Sequence, residues 1–245
     1  MVVNSLEKKK TRTPEPYDHA KLARRRGVLR FLLKYLGIPL LAKLDRVDGL
    51  ENLPKEGPAL LMMNHNALID SIVVVHSVPR DIVPLAKIEV YDYPVVGIFP
   101  RIWEVIPVRR EEVDKQTIKR TFEVLNAGEL VLIAPEGTRG SQLQRGKEGV
   151  AYLASRSGVP IVPIMIESSQ AFPAMRYTAP WRGPGISVTF GTPFRYRSEY
   201  RRAGRDQLRK MTDEAMFVLA SGLPSEKRGV YADESQATQD TIEWL

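Results

Sequence analysis

A chain of 245 residues, 43% of them hydrophobic, can bury one substantial core, so a single domain with appendages is expected. Cysteine is absent, which excludes disulfides, thiolate nucleophiles and cysteine-ligated zinc. The formal net charge of +7 is uneven: residues 1–44 carry eleven Lys or Arg against three acids (+8), leaving 25 basic and 26 acidic groups (−1) elsewhere.

Residues 1–20 are polar, include Pro14 and Pro16, and lack the apolar centre of a secretory signal, so a disordered basic tail is expected. Over 24–41 the pattern is helical. Leu29, Leu32, Leu33, Leu36 and Leu40 share one face, while Arg26, Arg30 and Lys34 run in steps of four along a narrower stripe. Apolar surface beside a cationic edge suits a helix lying in lipid headgroups, and residues 21–44 are expected to be such an amphipathic membrane-surface segment. The alternative is a helix that packs its leucines on its own domain. Arg30, Lys34, Pro39 and Lys43 interrupt 28–44, the nearest approach to a spanning helix, so attachment is expected to be peripheral.

From residue 45 the pattern shortens. Residues 54–57 read as a turn, 59–63 as a buried strand and 69–78 as a short helix. Strands are expected at 83–86 and 105–108, on either side of a connector at 91–100. A helix over 111–126 carries acids 111, 112 and 114 at its positive end and Gly128 past its stop. A strand at 130–134, a helix at 147–157, strands at 161–166 and 186–190, and a helix at 206–220 complete the pattern. Strands alternating with helices point to an α/β domain, and 231–245 is expected to be a C-terminal tail.

Two constellations follow strands. In 64–70, His65 precedes Asp70 by five residues; a carboxylate fixes a histidine's tautomer and stabilises its cation, provided His65 lies in the turn and Asp70 on the first helical turn. Such a pair also arises by chance. In 135–140, Gly137 permits close backbone approach, Thr138 adds a hydroxyl, and Arg139 offers a planar fork for phosphate oxygens. Glu136 would accept from a substrate hydroxyl or orient a cation; alone, the segment also reads as a surface turn. There is no Gly-x-Ser-x-Gly elbow, 140–147 fails the P-loop spacing, and no metal-ligand spacing is convincing. His19 and His76 lack comparable context. Arg197, Arg201, Arg202 and Arg205 cluster without a recognised nucleic-acid module, so nucleic acid is not an expected partner.

The order of the blocks resembles the glycerolipid acyltransferase family of the 1-acylglycerol-3-phosphate acyltransferase type. Asn64-His65-x-x-x-x-Asp70 comes first, then the segment from Gly97 through Pro107-Val108-Arg109-Arg110, then Pro135-Glu136-Gly137-Thr138-Arg139, then Val159-Pro160-Ile161-Val162-Pro163. The resemblance spans roughly 45–230 and includes Lys87 and the closing Arg228-Gly229-Val230-Tyr231. It departs at Arg109, where the family often has Asp, and Arg110 best matches the family's arginine.

The resemblance implies one acyltransferase domain over 45–230, with a mostly buried mixed sheet flanked by helices. It implies transfer of a fatty acyl group from acyl-CoA or acyl carrier protein to the free sn-2 hydroxyl of 1-acylglycerol-3-phosphate, giving phosphatidic acid, with no cofactor or metal. The alternatives are another acceptor, such as glycerol-3-phosphate or another lyso-lipid, and a non-catalytic phospholipid-binding module. His65 would be the base and Asp70 its orienting carboxylate. Lys87, Arg110, Glu136, Gly137, Thr138 and Arg139 would bind substrate, with a backbone N–H near Asn66 or Gly137 for the oxyanion. The expected setting is the cytoplasmic face of the cell membrane, on an anionic surface.

Overall fold

The computed structural model describes residues 17–94, 96–109 and 114–245. Its centre is built from short apolar runs that bury both faces. In β2 (Ala59–Met63), Ala59, Leu61 and Met63 enter one core while Leu60 and Met62 enter the other. The same division runs through β5 (Leu130–Ile133) and β6 (Ile161–Glu167), because side chains alternate across a strand. Each fully buried aliphatic side chain contributes about 1.5–3 kcal/mol.

Around these lie β1 (Leu44–Asp48), β3 (Ile82–Lys87) and β4 (Ile106–Val108), and later β7 (Ile186–Phe190), β8 (Phe194–Tyr196) and β9 (Ile242–Trp244). The sheet order is β1-β7-β6-β2-β5-β3-β4, with β8 on β6 and β9 on β8. Strands β4, β3, β5, β2 and β6 are mutually parallel; β7 and β8 oppose β6, and β1 runs with β7. Parallel neighbours need crossovers. These are α3 (Asp70–Ser77), α4 (Ile98–Trp103), α5 (Lys115–Asn126) and α6 (Gly149–Ser157), and α7 (Arg205–Ser221) packs on α6. The mixed, helix-flanked α/β sheet is therefore present, and the carboxyl ends of five parallel strands share one rim.

Two expectations at the chain ends are corrected. Residues 231–245 are not a tail. Glu214, buried on α7, accepts from the N–H groups of Asp240 and Thr241 and from the hydroxyls of Thr238 and Thr241, which brings β9 onto the sheet. At the other end, α1 (His19–Leu32) is capped by Asp18 and continues through a wider turn at Leu33–Gly37 into α2 (Ile38–Leu41). Pro39 lacks the N–H that would continue a regular ladder there. Residues 1–16, and the tail expected there, lie outside the described residues.

Two members of the basic stripe, Arg26 and Arg30, turn toward the domain, while Lys34 is exposed. Arg26 is fully buried: its Nη1 lies 3.0 Å from Glu129 and donates to Tyr17 Oη at 2.7 Å, and its Nε donates to Trp103 O at 3.2 Å. The Tyr17 hydroxyl also donates to Glu129. Arg30 reaches Asp81 at 2.8 Å and Arg80 O at 2.6 Å. Arg26 and Arg30 thus dock the helix on the domain, while Phe31, Leu32, Tyr35, Leu36, Leu40 and Leu41 stand exposed. The leucines at 32, 36 and 40 face outward, as the membrane-surface alternative has them, whereas Arg26 and Arg30 meet the domain instead of lining that surface. Among the described residues, no helix is long and apolar enough to cross a membrane.

Candidate active site

After Met63 a side chain continues the ladder where the backbone leaves it. Buried Asn64 accepts from the Ile166 N–H (2.8 Å) and donates to Ile166 O (2.9 Å), and Asn66 Nδ2 donates to the same carbonyl (2.8 Å). These bonds hold the chain against β6 while it turns at His65. Asp70, fully buried on the first turn of α3, closes the turn. Its Oδ2 accepts from the N–H of Asn66 (2.6 Å), the N–H of Ala67 (2.8 Å) and His65 Nδ1 (3.0 Å). A carboxylate is favoured at that helix end. Three donors converge on this one oxygen, and as their common acceptor it takes the Nδ1 proton, so Nε2 keeps a lone pair for an incoming hydroxyl. Asp70 Oδ1 is buried with no hydrogen-bond partner among the described residues.

β5 runs beside β2 and delivers the second loop to the same rim. Glu136 is buried, and both its oxygens are occupied by backbone: Oε1 accepts from the His65 N–H (3.2 Å), Oε2 from the Gln144 N–H (2.8 Å). The Gly140 N–H donates to His65 O at 2.9 Å. His65 is thereby gripped on both sides of its α-carbon by the 136–140 loop. Burial raises the Glu136 carboxyl above its ordinary pKa, against the opposing pull of the Gln144 and His65 amides. This corrects the expectation of an acceptor waiting for substrate.

Gly137 has φ +65°, and a β-carbon there would lie 3.4 Å from Lys147 Cε and Nζ. Lys147 therefore lies over the turn, a cation that its position in the sequence did not mark. Thr138 is half-buried, and Arg139 is exposed with no ion pair among the described residues. The oxyanion amides anticipated from sequence are both taken: Asn66 N–H by Asp70, Gly137 N–H by Ala134 O at 3.0 Å. Lys87 ends β3 on the same rim. Arg110 lies outside the described residues, while neighbouring Arg109 is exposed beyond β4.

The closing segment braces the loop. The Leu143 N–H donates to Lys227 O (2.9 Å), the Val230 N–H to Leu143 O (3.3 Å), and the Gly146 N–H to Tyr231 Oη (3.1 Å). Gly229 is required here: its φ is +52°, and a β-carbon would sit 2.0 Å from Leu143 O.

A family model described as Acyltransferase matches residues 46–167, the stretch holding both loops. That stretch is similar to the acyltransferase family. The chain is 32% identical over 125 residues to a chloroplastic 1-acyl-sn-glycerol-3-phosphate acyltransferase of Arabidopsis thaliana, covering 49% of this chain and 35% of the relative. It is 32% identical over 119 residues to a 1-acyl-sn-glycerol-3-phosphate acyltransferase of Bacillus subtilis (48% and 60%), and 28% over 151 residues to one of Borreliella burgdorferi (60% and 58%). The matched stretches thus span 35% to 60% of these relatives' lengths. The crystal structure of the 1-acyl-sn-glycerophosphate acyltransferase PlsC from Thermotoga maritima shares the fold: TM-score 0.55 at 20% identity, over 81% of this chain and 79% of that one.

Proposed function

We propose that the protein transfers a fatty acyl group from an acyl thioester, carried by coenzyme A or acyl carrier protein, to the sn-2 hydroxyl of 1-acylglycerol-3-phosphate, giving phosphatidic acid. One observation carries this reading. A histidine oriented by a buried carboxylate is bonded through its own peptide to a loop bearing an arginine with no ion pair among the described residues. The printed activity of the relatives supports the choice of acceptor.

In this mechanism His65 Nε2 removes the hydroxyl proton as the alkoxide attacks the thioester carbonyl, and Asp70 stabilises the imidazolium. The tetrahedral intermediate collapses with loss of thiolate, which takes the proton from His65. Arg139 and Thr138, with Lys147 beside Gly137, hold the acceptor phosphate and so fix the hydroxyl near the base. Lys87 and Arg110 belong to the same proposed binding set. The exposed apolar ridge of α1 and α2 supports peripheral attachment to a membrane, where both the acceptor and its product reside.

An acceptor panel tests the reading. The expected kcat/KM is highest for lysophosphatidate, above glycerol-3-phosphate and lysophosphatidylcholine; preference for a zwitterionic acceptor would overturn the phosphate assignment. Arg139→Ala is expected to raise acceptor KM by about 10-fold or more, the value of a charge-assisted hydrogen bond, with kcat less affected. An unchanged KM would remove Arg139 from the binding set. Glu136→Gln swaps one acceptor oxygen for an amide donor facing a backbone N–H, so the His65 turn shifts. The expected loss is about 10²-fold in kcat with acceptor KM nearly constant. A rise confined to KM would instead mark Glu136 as a substrate contact.

A further inference from the structure

The β6–β7 connection carries a surface that acyl transfer does not use. It leaves β6 at the rim where Asn64 and Asn66 bind Ile166, then runs beside the end of α2. The Ala174 N–H donates to Leu41 O at 2.8 Å and the Arg176 N–H to Leu40 O at 2.9 Å. Trp181 Nε1 donates to Ala174 O at 2.9 Å, which ties the two limbs of the loop together. At its crest Met175 is 60% exposed and Tyr177 84%. Tyr177 has φ +71°, a left-handed conformation that a bulky side chain disfavours. The Arg176 guanidinium lies 5.2 Å from the Tyr177 ring centre and 6.0 Å from that of Trp181. Arg176, Tyr177, Thr178, Trp181 and Arg182 line a surface cleft of about 350 Å³. Arg176 and Arg182 enter no ion pair among the described residues.

We propose that this loop is a second membrane contact, with Met175 and Tyr177 entering the interfacial layer of a phospholipid bilayer and Arg176 and Arg182 meeting lipid phosphates. Three observations choose a bilayer as the occupant. The crest is bonded to Leu40 and Leu41, so it extends the exposed ridge of Phe31, Leu32, Tyr35 and Leu36. Aromatic rings beside arginines without ion pairs suit the headgroup layer, which is amphipathic and anionic. The loop also starts at the carboxyl end of β6, parallel to β2, so the bilayer lies on the rim where His65 turns. The proposal rests on the lipid-acceptor reading for its purpose, and it tells how a lipid acceptor reaches that rim without leaving the membrane.

The full chain is sedimented with vesicles of phosphatidylcholine alone and of phosphatidylcholine with phosphatidylglycerol. Arg176→Ala with Arg182→Ala is expected to weaken binding to the anionic vesicles by about tenfold or more and to leave binding to the neutral ones little changed. The chain has no cysteine, so Tyr177→Cys gives a single labelling site. An environment-sensitive fluorophore there should shift to the blue on adding vesicles. Unaltered vesicle binding by the double arginine variant overturns the proposal, as does a fluorophore that stays in water or a wild-type chain that binds neither vesicle. Acyl transfer between dispersed short-chain substrates, measured on the same samples, reports the catalytic reading separately. The double variant should keep that activity, and its absence from the wild type would count against His65 rather than against the loop.

Discussion

His65→Ala is expected to lower kcat for acyl transfer by at least about 10²–10⁴-fold, the contribution of a positioned general base, with acceptor affinity preserved. The two effects separate because the relevant groups stand on different segments. The imidazole belongs to the turn after β2, whereas Thr138, Arg139 and Lys147 belong to the loops after β5. The substitution also leaves the turn's own scaffold in place. Asp70 still accepts from the amides of Asn66 and Ala67, Glu136 still accepts from the residue-65 N–H, and Asn64 still binds Ile166. The variant should therefore melt close to the wild type. Steady-state kinetics with direct acceptor binding checks this: full turnover in a folded variant would remove His65 as the base, and lost binding would make it a substrate contact.

Arg26→Ala is expected to destabilise the fold by about 3–5 kcal/mol, because it leaves the buried Glu129 carboxylate without the guanidinium 3.0 Å away. In a chain of this size that corresponds to a fall in Tm on the order of 10 °C. The same guanidinium caps Trp103 O and lies 5.8 Å from the Trp103 ring centre, so α1 and α4 should loosen together. Changing the pair to Arg26→Met with Glu129→Gln removes the stranded charge, and much of the stability should return. Thermal unfolding of both variants decides the matter. A near-neutral Arg26→Ala, or a double variant no better than the single, would show that the pair does not dock the helix. Deleting 1–44 would not isolate membrane attachment, since Leu22, Arg26, Ile38 and Ala42 are buried. Leu36→Ala with Leu40→Ala is the cleaner probe.

The parts of the fold legible in sequence are those where a local pattern and its burial agree. The run at 59–63 became β2 with those bounds, and the runs at 130–134 and 161–166 became β5 and β6 within a residue. What escaped were elements set by distant partners. β1 is half polar and exists because β7 pairs with it. β9 exists because Glu214, some thirty residues earlier, gathers the 238–241 backbone and hydroxyls. The Tyr- and Pro-bearing connector at 91–100 hid the start of α4, whose Trp103 is buried by partners far from it in the chain.

The site divides in the same way. The His65–Asp70 contact was readable from the order of the blocks around it rather than from the pair alone, since such a pair also arises by chance. The work of Glu136 was not readable, since its partners, the amides of residues 65 and 144, leave no mark on side-chain identity. Lys147 was missed for a related reason: it reaches the 136–140 loop by folding back over Gly137. Arg26 and Arg30 were placed on the wrong surface because an arginine's periodicity is the same whether it meets lipid or a carboxylate of its own domain.

The most direct test of the central claim is a thiol-release assay with a long-chain acyl thioester and lysophosphatidate, with phosphatidate quantified in the same reaction. The expected result is one thiol released per phosphatidate formed, with no release when the acceptor is omitted or lacks its sn-2 hydroxyl. Thiol release that ignores the acceptor, or no release above the enzyme-free rate, would contradict base-assisted transfer to a bound lipid alcohol.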